Sequence, residues 1–178
     1  MRLGADRPFA VSSRFYAINP SGPAQGQSIL PVSQFLDNTI GDTNNAQATA
    51  YVPGLSASAQ YRTNLGFVAG TSSSSGMALE VTLRGADGAT LGTRTFTIPG
   101  ASFVHLQFNS AAITSQSFDE GSATFRITAG DGAVVPYASV VDSASSAAFY
   151  VTGQFPPNTT FAQRATSSIF RNLLRSSN

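Results

Sequence analysis

The chain has one histidine, His105, which is its one candidate for the general base of a nucleophilic hydrolase. Such a base needs a serine beside it, and the Gly-x-Ser-x-Gly elbow of many hydrolases does not occur in the chain. Lysine is absent, which excludes a Schiff-base enzyme and a P-loop lysine. Two-residue alternation assigns His105 to the polar face of a predicted strand. We therefore expect a surface histidine and no catalytic residue.

Carboxylates offer two further kinds of chemistry, glycoside hydrolysis and cation binding. Asp119 and Glu120 are adjacent, and neighbours in an extended segment point to opposite faces, so we interpret them as part of a solvated loop. Asp37, Asp42, Asn44 and Asn45 offer oxygen ligands within one loop, but their spacing does not match an EF-hand. We predict no metal and no cofactor; Asp37 and Asp42 are the weak candidates for a calcium ion.

Tyrosine rings are the remaining candidates for binding, because aromatic faces stack against sugar rings. The chain has no tryptophan, and most of its 13 phenylalanines fit core positions. The tyrosines outside that pattern are Tyr16, Tyr51, Tyr61 and Tyr150. They keep a carbohydrate-binding module open as an alternative. The sequon at Asn158 is a weak signal, since such triplets are common by chance.

The composition predicts a lightly charged surface that is rich in hydroxyl groups. Only 11% of the residues are charged, against about a quarter in an average soluble domain. The formal net charge is +1 without a basic cluster, which argues against nucleic-acid binding. The absence of cysteine excludes disulfides and thiolate metal sites. No apolar run approaches the ~18 residues of a membrane span, and no secretion signal is found at the N-terminus.

Residues 133–142 predict the strand around which the chain is organised, because nearly every position on both of its faces is apolar or small. The preceding residues 123–129 alternate with the period of a half-buried strand. Gly130-Asp131-Gly132 lies between the two segments and is typical of a turn. We expect these segments to form a hairpin.

Other segments repeat this pattern between turn residues. Residues 77–84 show it best, since alternate residues from Met77 to Leu83 are apolar and should point into the core. An Asp-Gly hairpin is predicted at residues 85–88. Residues 28–36 suit either a short helix or an irregular edge. The other predicted strands are 12–18, 48–52, 61–69, 90–98, 102–108 and 147–152. Eight or nine short strands predict an all-β fold, an antiparallel β-sandwich of Ig-like or jelly-roll-like type.

Composition divides the chain into three parts. Residues 1–11 form a lead-in segment, residues 12–154 the sandwich, and residues 155–178 a C-terminal tail. The tail has three arginines and no acidic residue, whereas residues 37–154 have eight acidic residues and four arginines, a balance of −4. Apolar residues of the tail recur near the spacing of one helical face, which suits docking on the sandwich or on a neighbour. The tail residues assigned to that contact are Phe161, Arg164, Phe170, Arg171 and Leu174.

Three separated motifs resemble a repeat-type domain of large secreted bacterial proteins. The motifs are Arg62-Thr63-Asn64-Leu65-Gly66, the turn Asp87-Gly88 with the following Leu91-Gly92, and Tyr137-Ala138-Ser139-Val140-Val141-Asp142. They occur in the order of that family, and the similarity covers residues 12–152. The resemblance implies an extracellular, non-catalytic β-sandwich module, and no chemistry is assigned to the family.

These observations predict a structural or adhesive module that works through its surfaces. An open sheet has two edges, and an exposed edge pairs readily with a strand of another chain. Self-assembly into a surface layer or filament is therefore the preferred function, and a carbohydrate-binding module of a secreted protein is the alternative. The expected partners are further copies, neighbouring domains or a polysaccharide. Outside the tail, the residues assigned to these contacts are Tyr16, Tyr61 and Tyr150.

Overall fold

The computed structural model describes residues 13–17, 25–29, 49–71, 74–130 and 132–154, with the backbone alone for the first two ranges. Most of these described residues lie in strands, and a short 3-10 helix (Ser110–Ala112) follows the seventh strand. The strands are β1 (Ser13–Ala17), β2 (Gln25–Ile29), β3 (Thr49–Ala57), β4 (Tyr61–Gly70), β5 (Met77–Arg84), β6 (Thr90–Ile98), β7 (Phe103–Asn109), β8 (Phe118–Gly130), β9 (Ala133–Asp142) and β10 (Ala148–Thr152).

Two four-stranded antiparallel sheets make up the sandwich, which confirms the predicted all-β class. Sheet I has the order β10-β9-β4-β7, and sheet II has the order β3-β8-β5-β6. β1 and β2 pair separately as a small hairpin. Across the described ranges, no helix has the length and apolarity that crossing a membrane requires.

The core lies between the two sheets and is built by the predicted alternation. In β5, Met77 and Leu83 and the two apolar residues between them on the same face are at most 4% exposed. The largest fully buried side chains are Phe67 of β4 and Phe125 of β8, one from each sheet. Phe67 meets Phe96 of β6 edge to face, with ring centroids 5.4 Å apart, so the two sheets contact through aromatic rings.

β9 is an interior strand of sheet I, as predicted, although it contains Pro136. Proline lacks the N–H that a ladder needs and is usually confined to edges. Here β10 stops pairing with β9 at Thr152 and Tyr137, and the Pro136 carbonyl accepts a bond from Gly153 N–H at 2.9 Å. Pro136 therefore lies where the β10 ladder ends.

The predicted hairpin between residues 123–129 and 133–142 is wrong. β8 belongs to sheet II and β9 to sheet I, so the chain changes sheets between them. Gly130, at the end of β8, has a φ of +74°, and a Cβ on it would overlap the Gly76 carbonyl oxygen. Glycine is needed there because the strand leaves its sheet against the backbone of β5. The Gly-Asp-Gly sequence indicates where the strand ends, but it does not indicate which strand pairs with it.

Other boundaries also differ from the predictions. β3 continues past Pro53 to Ala57 through two register shifts. Asp119 and Glu120, predicted in a loop, lie near the start of β8 with both side chains exposed. A register shift opposite Ala78 leaves Ala129 exposed, although strict alternation along residues 123–129 would place it on the core face with Phe125 and Ile127. The Asp-Gly hairpin at residues 85–88 is confirmed and joins β5 to β6.

Candidate functional site

An aromatic strip crosses the outer face of sheet I, the face turned away from sheet II. We define the strip as Tyr150 of β10, Tyr137 of β9, and His105 and Phe103 of β7. The Tyr137 and Tyr150 rings form an offset stack, with centroids 5.4 Å apart and planes inclined by 27°. The His105 and Tyr137 ring centroids are 5.9 Å apart, and Phe103 is 67% exposed. The strip thus runs from one edge of sheet I to the other.

β4 lies beneath this strip, where its outward residues are Gly66, Val68 and Gly70, and the two glycines leave room for the rings of Tyr137 and Phe103. Gly66 pairs directly with Tyr137, and a Cβ on Gly66 would overlap the phenol end of the Tyr137 ring. Gly70 pairs with Phe103, and a Cβ there would lie 3.5 Å from Phe103 Cδ2. Gly66 and Tyr137 come from two different motifs of the family resemblance. The contact explains both residues, because the phenol end of the Tyr137 ring occupies the space that a side chain at position 66 would need.

A hydrogen bond of 2.6 Å joins His105 Nε2 to the Tyr137 hydroxyl above β4. Burial raises the pKa of Tyr137. Burial, with a smaller contribution from the charge of Tyr137, raises the pKa of Tyr150 to about 12. Both phenols are therefore protonated at neutral pH. The bond fixes the Tyr137 ring and occupies one nitrogen of the imidazole with a phenol.

Alkaline titration tests how these rings are packed. We expect Tyr150 to ionise near pH 12, whereas tyrosines of the unfolded chain ionise near pH ~10. The unfolded state loses its protons first, so the free energy of unfolding should fall as the pH rises through this interval. Phenolate absorbance measures the titration, and Tyr150→Phe should remove the latest step. A single transition of all five tyrosines near the unfolded value would contradict this packing.

Amide side chains border the aromatic strip, and the face carries little charge. Gln107 of β7 pairs with Gly66, and Asn109 pairs with Asn64 of β4. The Asn109 amide donates to Asn64 Oδ1 at 3.4 Å, and Asn109 Oδ1 accepts from Ala111 N–H at 2.9 Å. Strand alternation places Arg62 on the same face, and no carboxylate among the described strand residues of this face. The face thus offers aromatic rings and neutral hydrogen-bonding groups.

One side of the sandwich, formed by β10 and β3, is closed by the chain itself. Beyond β10, Gln154 and Tyr51 of β3 exchange two backbone hydrogen bonds, of 2.7 and 2.8 Å. β3 contains Pro53, which lacks an N–H, and β2 comes close to β10. These features protect both strands against pairing with another chain.

The opposite side of the sandwich is formed by β6 and β7. Arg94 of β6 pairs with buried Val81, so it points toward the space between the sheets. Its guanidinium lies 5.0 Å from the centroid of the Phe96 ring and donates to the Ala112 carbonyl at 3.4 Å. An inward-pointing charge of this kind discourages pairing at an edge. β7 has no charged residue, no proline and no register shift.

The free edge of β7 exposes the backbone of alternate residues. Thr71 N–H donates to the Ser102 carbonyl at 3.1 Å, immediately before β7 begins. In an antiparallel pair only alternate residues exchange hydrogen bonds with the partner strand. Counting from this bond along the register of β4 and β7, the residues of β7 that bond to β4 are Val104, Leu106 and Phe108. The backbone N–H and C=O groups of Phe103, His105, Gln107 and Asn109 therefore point away from β4. No strand in the described part of the chain pairs with that edge.

The tyrosines predicted from the sequence do not converge on one site. Tyr150 belongs to the aromatic strip, whereas Tyr61 is half-buried at the start of β4, where its hydroxyl accepts from Gln60 Nε2 at 3.0 Å. Tyr51 is 47% exposed and lines a shallow groove of about 350 Å³ on the outer face of sheet II, with Glu80, Arg84 and Arg126 among the other lining residues. Tyr16 lies in β1, where the backbone alone is described.

Several predicted sites lie outside the described residues. They are the calcium candidates Asp37 and Asp42 and the tail residues Phe161, Arg164, Phe170, Arg171 and Leu174. In the described ranges, no three His, Asp or Glu side chains group as metal ligands would. Sequence reasoning missed Tyr137 as a surface aromatic, whereas alternation places Phe103 on the same face of β7 as His105. The signal that identifies Tyr137 is the glycine at its paired position in β4, and it requires the register.

No family model and no curated protein matches the chain. One solved structure with a slight similarity is an arabinose-bound α-L-arabinofuranosidase, MgGH51, with a TM-score of 0.30 and 17% sequence identity. The match covers 86% of this chain and 23% of that one. A likeness of this size transfers no activity.

Proposed function

We propose that the chain is a non-catalytic structural module of an extracellular surface, and that copies join through the free edge of β7. The observation that carries the proposal is the difference between β7 and the other three edges. β10 and β3 are closed by the chain, and β6 directs Arg94 inward. β7 presents uncharged backbone groups with none of these protections, as strands used for β-augmentation do.

A second copy of β7 suits this edge because the strand is complementary to itself. An antiparallel pair related by a twofold axis at Leu106 would place His105 opposite Gln107 of the other copy. The same operation would place Phe103 opposite Asn109, so all four outward-facing residues of β7 pair with one another. β7 contains no Asp, Glu, Lys or Arg, so the two copies would not repel strongly. The product is a continuous eight-stranded sheet with a closed, twofold interface.

A non-catalytic role is supported by the surroundings of His105. A hydrolase base must hydrogen bond to the nucleophile that it activates. His105 Nε2 instead bonds to the Tyr137 phenol on an open face of the sheet. An imidazole held in this way orients a ring, so we assign His105 to the structure of the aromatic strip.

The extracellular location rests on the three motifs that resemble domains of secreted bacterial proteins. Two of those motifs meet physically in the contact of Gly66 with Tyr137. Growth beyond a dimer needs a second interface, because a twofold contact is satisfied once two copies have paired. We assign that interface to residues 155–178, whose three arginines would be attracted to the net negative charge of residues 37–154 in another copy.

Gln107→Pro is expected to weaken dimer formation through the β7 edge. Proline removes an N–H that points outward, so the ladder between β7 and β4 keeps its bonds while the edge loses a donor on each copy. By light scattering, the mass of the unmodified chain should rise from 18.5 kDa to twice that value or more as the concentration rises. We expect the dissociation constant of the dimer to be about tenfold higher, or more, for the proline variant.

Gln107→Thr is the matched control, because threonine keeps the N–H and favours a strand. It should dimerise like the unmodified chain, and both variants should give the same far-ultraviolet circular dichroism. A monomer at every concentration of the unmodified chain would remove β7 from consideration. Equal dimer formation by the proline variant and the threonine control would also show that β7 is not the interface.

A further inference from the structure

The geometry points to a second role for sheet I: we propose that the aromatic strip binds a neutral polysaccharide chain. The Tyr150 and Tyr137 rings would stack against sugar rings, and the neighbouring amides would bond to sugar hydroxyls. This surface is the outer face of sheet I, whereas the assembly proposed above uses the edge of β7. The two roles are therefore separable by mutation.

Stacking requires rings that are accessible and already fixed, and both conditions hold in the strip. Tyr137 and Tyr150 are half-buried, so one side of the pair packs on the sheet while the rest remains in solvent. Tyr137 is held by Gly66 beneath it and by the 2.6 Å bond to His105. A ring with no remaining freedom loses little conformational entropy when a ligand binds. Tyr150 is oriented in turn by its stack on Tyr137.

The polar groups beside the rings suit an uncharged ligand that is rich in hydroxyls. Asn64, Gln107 and Asn109 each supply amide donors and acceptors on the same face. With no carboxylate among the strand residues described there, the face offers no partner for a cationic ligand. Arg62, at one end of β4, is its single permanent charge. A neutral sugar chain satisfies the amides without leaving an ion unpaired.

The length of the strip suits a chain and not a single sugar. From β10 to β7 the strip crosses three interstrand intervals, or about 14 Å. At β4 the strip crosses Gly66 and Gly70, and Val68 between them adds one half-buried aliphatic side chain, which pairs with His105. An extended oligosaccharide could therefore lie across the strands, contacting Tyr150 at one end and Phe103 at the other.

Native affinity electrophoresis of the full chain tests the proposal. Gels would contain one neutral polysaccharide each, from a panel of β-glucan, xylan, mannan, arabinan and dextran, with alginate and polygalacturonate as anionic gels. We expect at least one neutral polysaccharide to retard the chain. Tyr150→Ala should weaken that binding by about tenfold, and Tyr150→Phe should retain most of it because the stacking ring remains.

Tyr51→Ala is the matched control, since it removes an exposed tyrosine from the groove on sheet II. It should leave the retardation unchanged. The proposal is overturned if no neutral polysaccharide retards the chain, if the anionic gels alone do, or if Tyr150→Ala binds as well as the unmodified chain. Thermal unfolding of each variant, monitored by circular dichroism, identifies any loss that comes from misfolding. If Tyr150→Ala fails to fold, equal binding by Tyr150→Phe and a loss with Tyr137→Ala decide the question.

Discussion

Replacing Phe67 by alanine is expected to lower the free energy of unfolding by about 3–5 kcal/mol. Phe67 is fully buried in the middle of β4, between Leu106 of β7 and Pro136 of β9. Its ring packs edge to face on Phe96, which belongs to the other sheet. The substitution would leave a cavity where the two sheets meet, and the ladders of β4 with β7 and β9 limit how far it can collapse. Urea denaturation measures the effect.

Phe103→Ala is the matched control, because it removes the same side chain from the same sheet but from the outer face. Phe103 is 67% exposed, so its loss should change the unfolding free energy by no more than about 0.5 kcal/mol. Similar losses for the two variants would mean that the core does not lie between sheets I and II.

Gly66→Ala is expected to cost about 1–3 kcal/mol, although alanine is normally the better residue in a strand. The added Cβ would overlap the Tyr137 ring, including a distance of 2.7 Å to Cε2. Tyr137 would have to leave its position, and the bond to His105 would be lost with it. The loss of stability should therefore accompany a return of the Tyr137 pKa toward its ordinary value.

A double-mutant cycle isolates this contact. In a Tyr137→Ala background the ring is gone, so Gly66→Ala should be neutral or slightly stabilising. Chemical denaturation of the four proteins gives the coupling. If the substitution at Gly66 costs the same in both backgrounds, Tyr137 does not pack across that glycine, and the proposed orientation of the aromatic strip is wrong.

Local patterns were sufficient to predict the strands that alternate between core and solvent. β5 begins and ends at the predicted residues, because Met77, Leu79, Val81 and Leu83 alternate toward the core. Glu80 and Arg84 lie on the opposite face. β9 was equally clear, since its small and apolar residues suit a strand with neighbours on both sides. These signals depend on residues close in sequence, and they hold whichever strands become neighbours.

Pairing between strands could not be predicted in the same way. Gly130 and Gly132 are typical of a tight hairpin turn, yet β8 and β9 lie in different sheets. The deciding contacts are distant in sequence: Met77 pairs with Gly130, and Gly70 pairs with Ala133. The shift that exposes Ala129 has the same origin, because a bulge depends on the partner strand.

For the same reason, only part of the candidate site could be predicted from the sequence. Tyr150 and His105 were identified as surface residues by alternation, but Tyr137 was counted with an apolar strand. Its exposure on the outer face depends on Gly66, which lies more than seventy positions earlier in the chain. The free edge of β7 likewise becomes visible only when the order of strands in both sheets is known.

The most direct test of the proposed β7 interface is amide hydrogen exchange, resolved by residue, in dilute and concentrated solution. Leu106 and Phe108 donate to β4, so their amides should be protected in both solutions. His105 and Gln107 point outward, so their amides should exchange rapidly in dilute solution and slow as a second copy pairs with them at high concentration. Rapid exchange of both outward amides at every concentration would contradict assembly through β7.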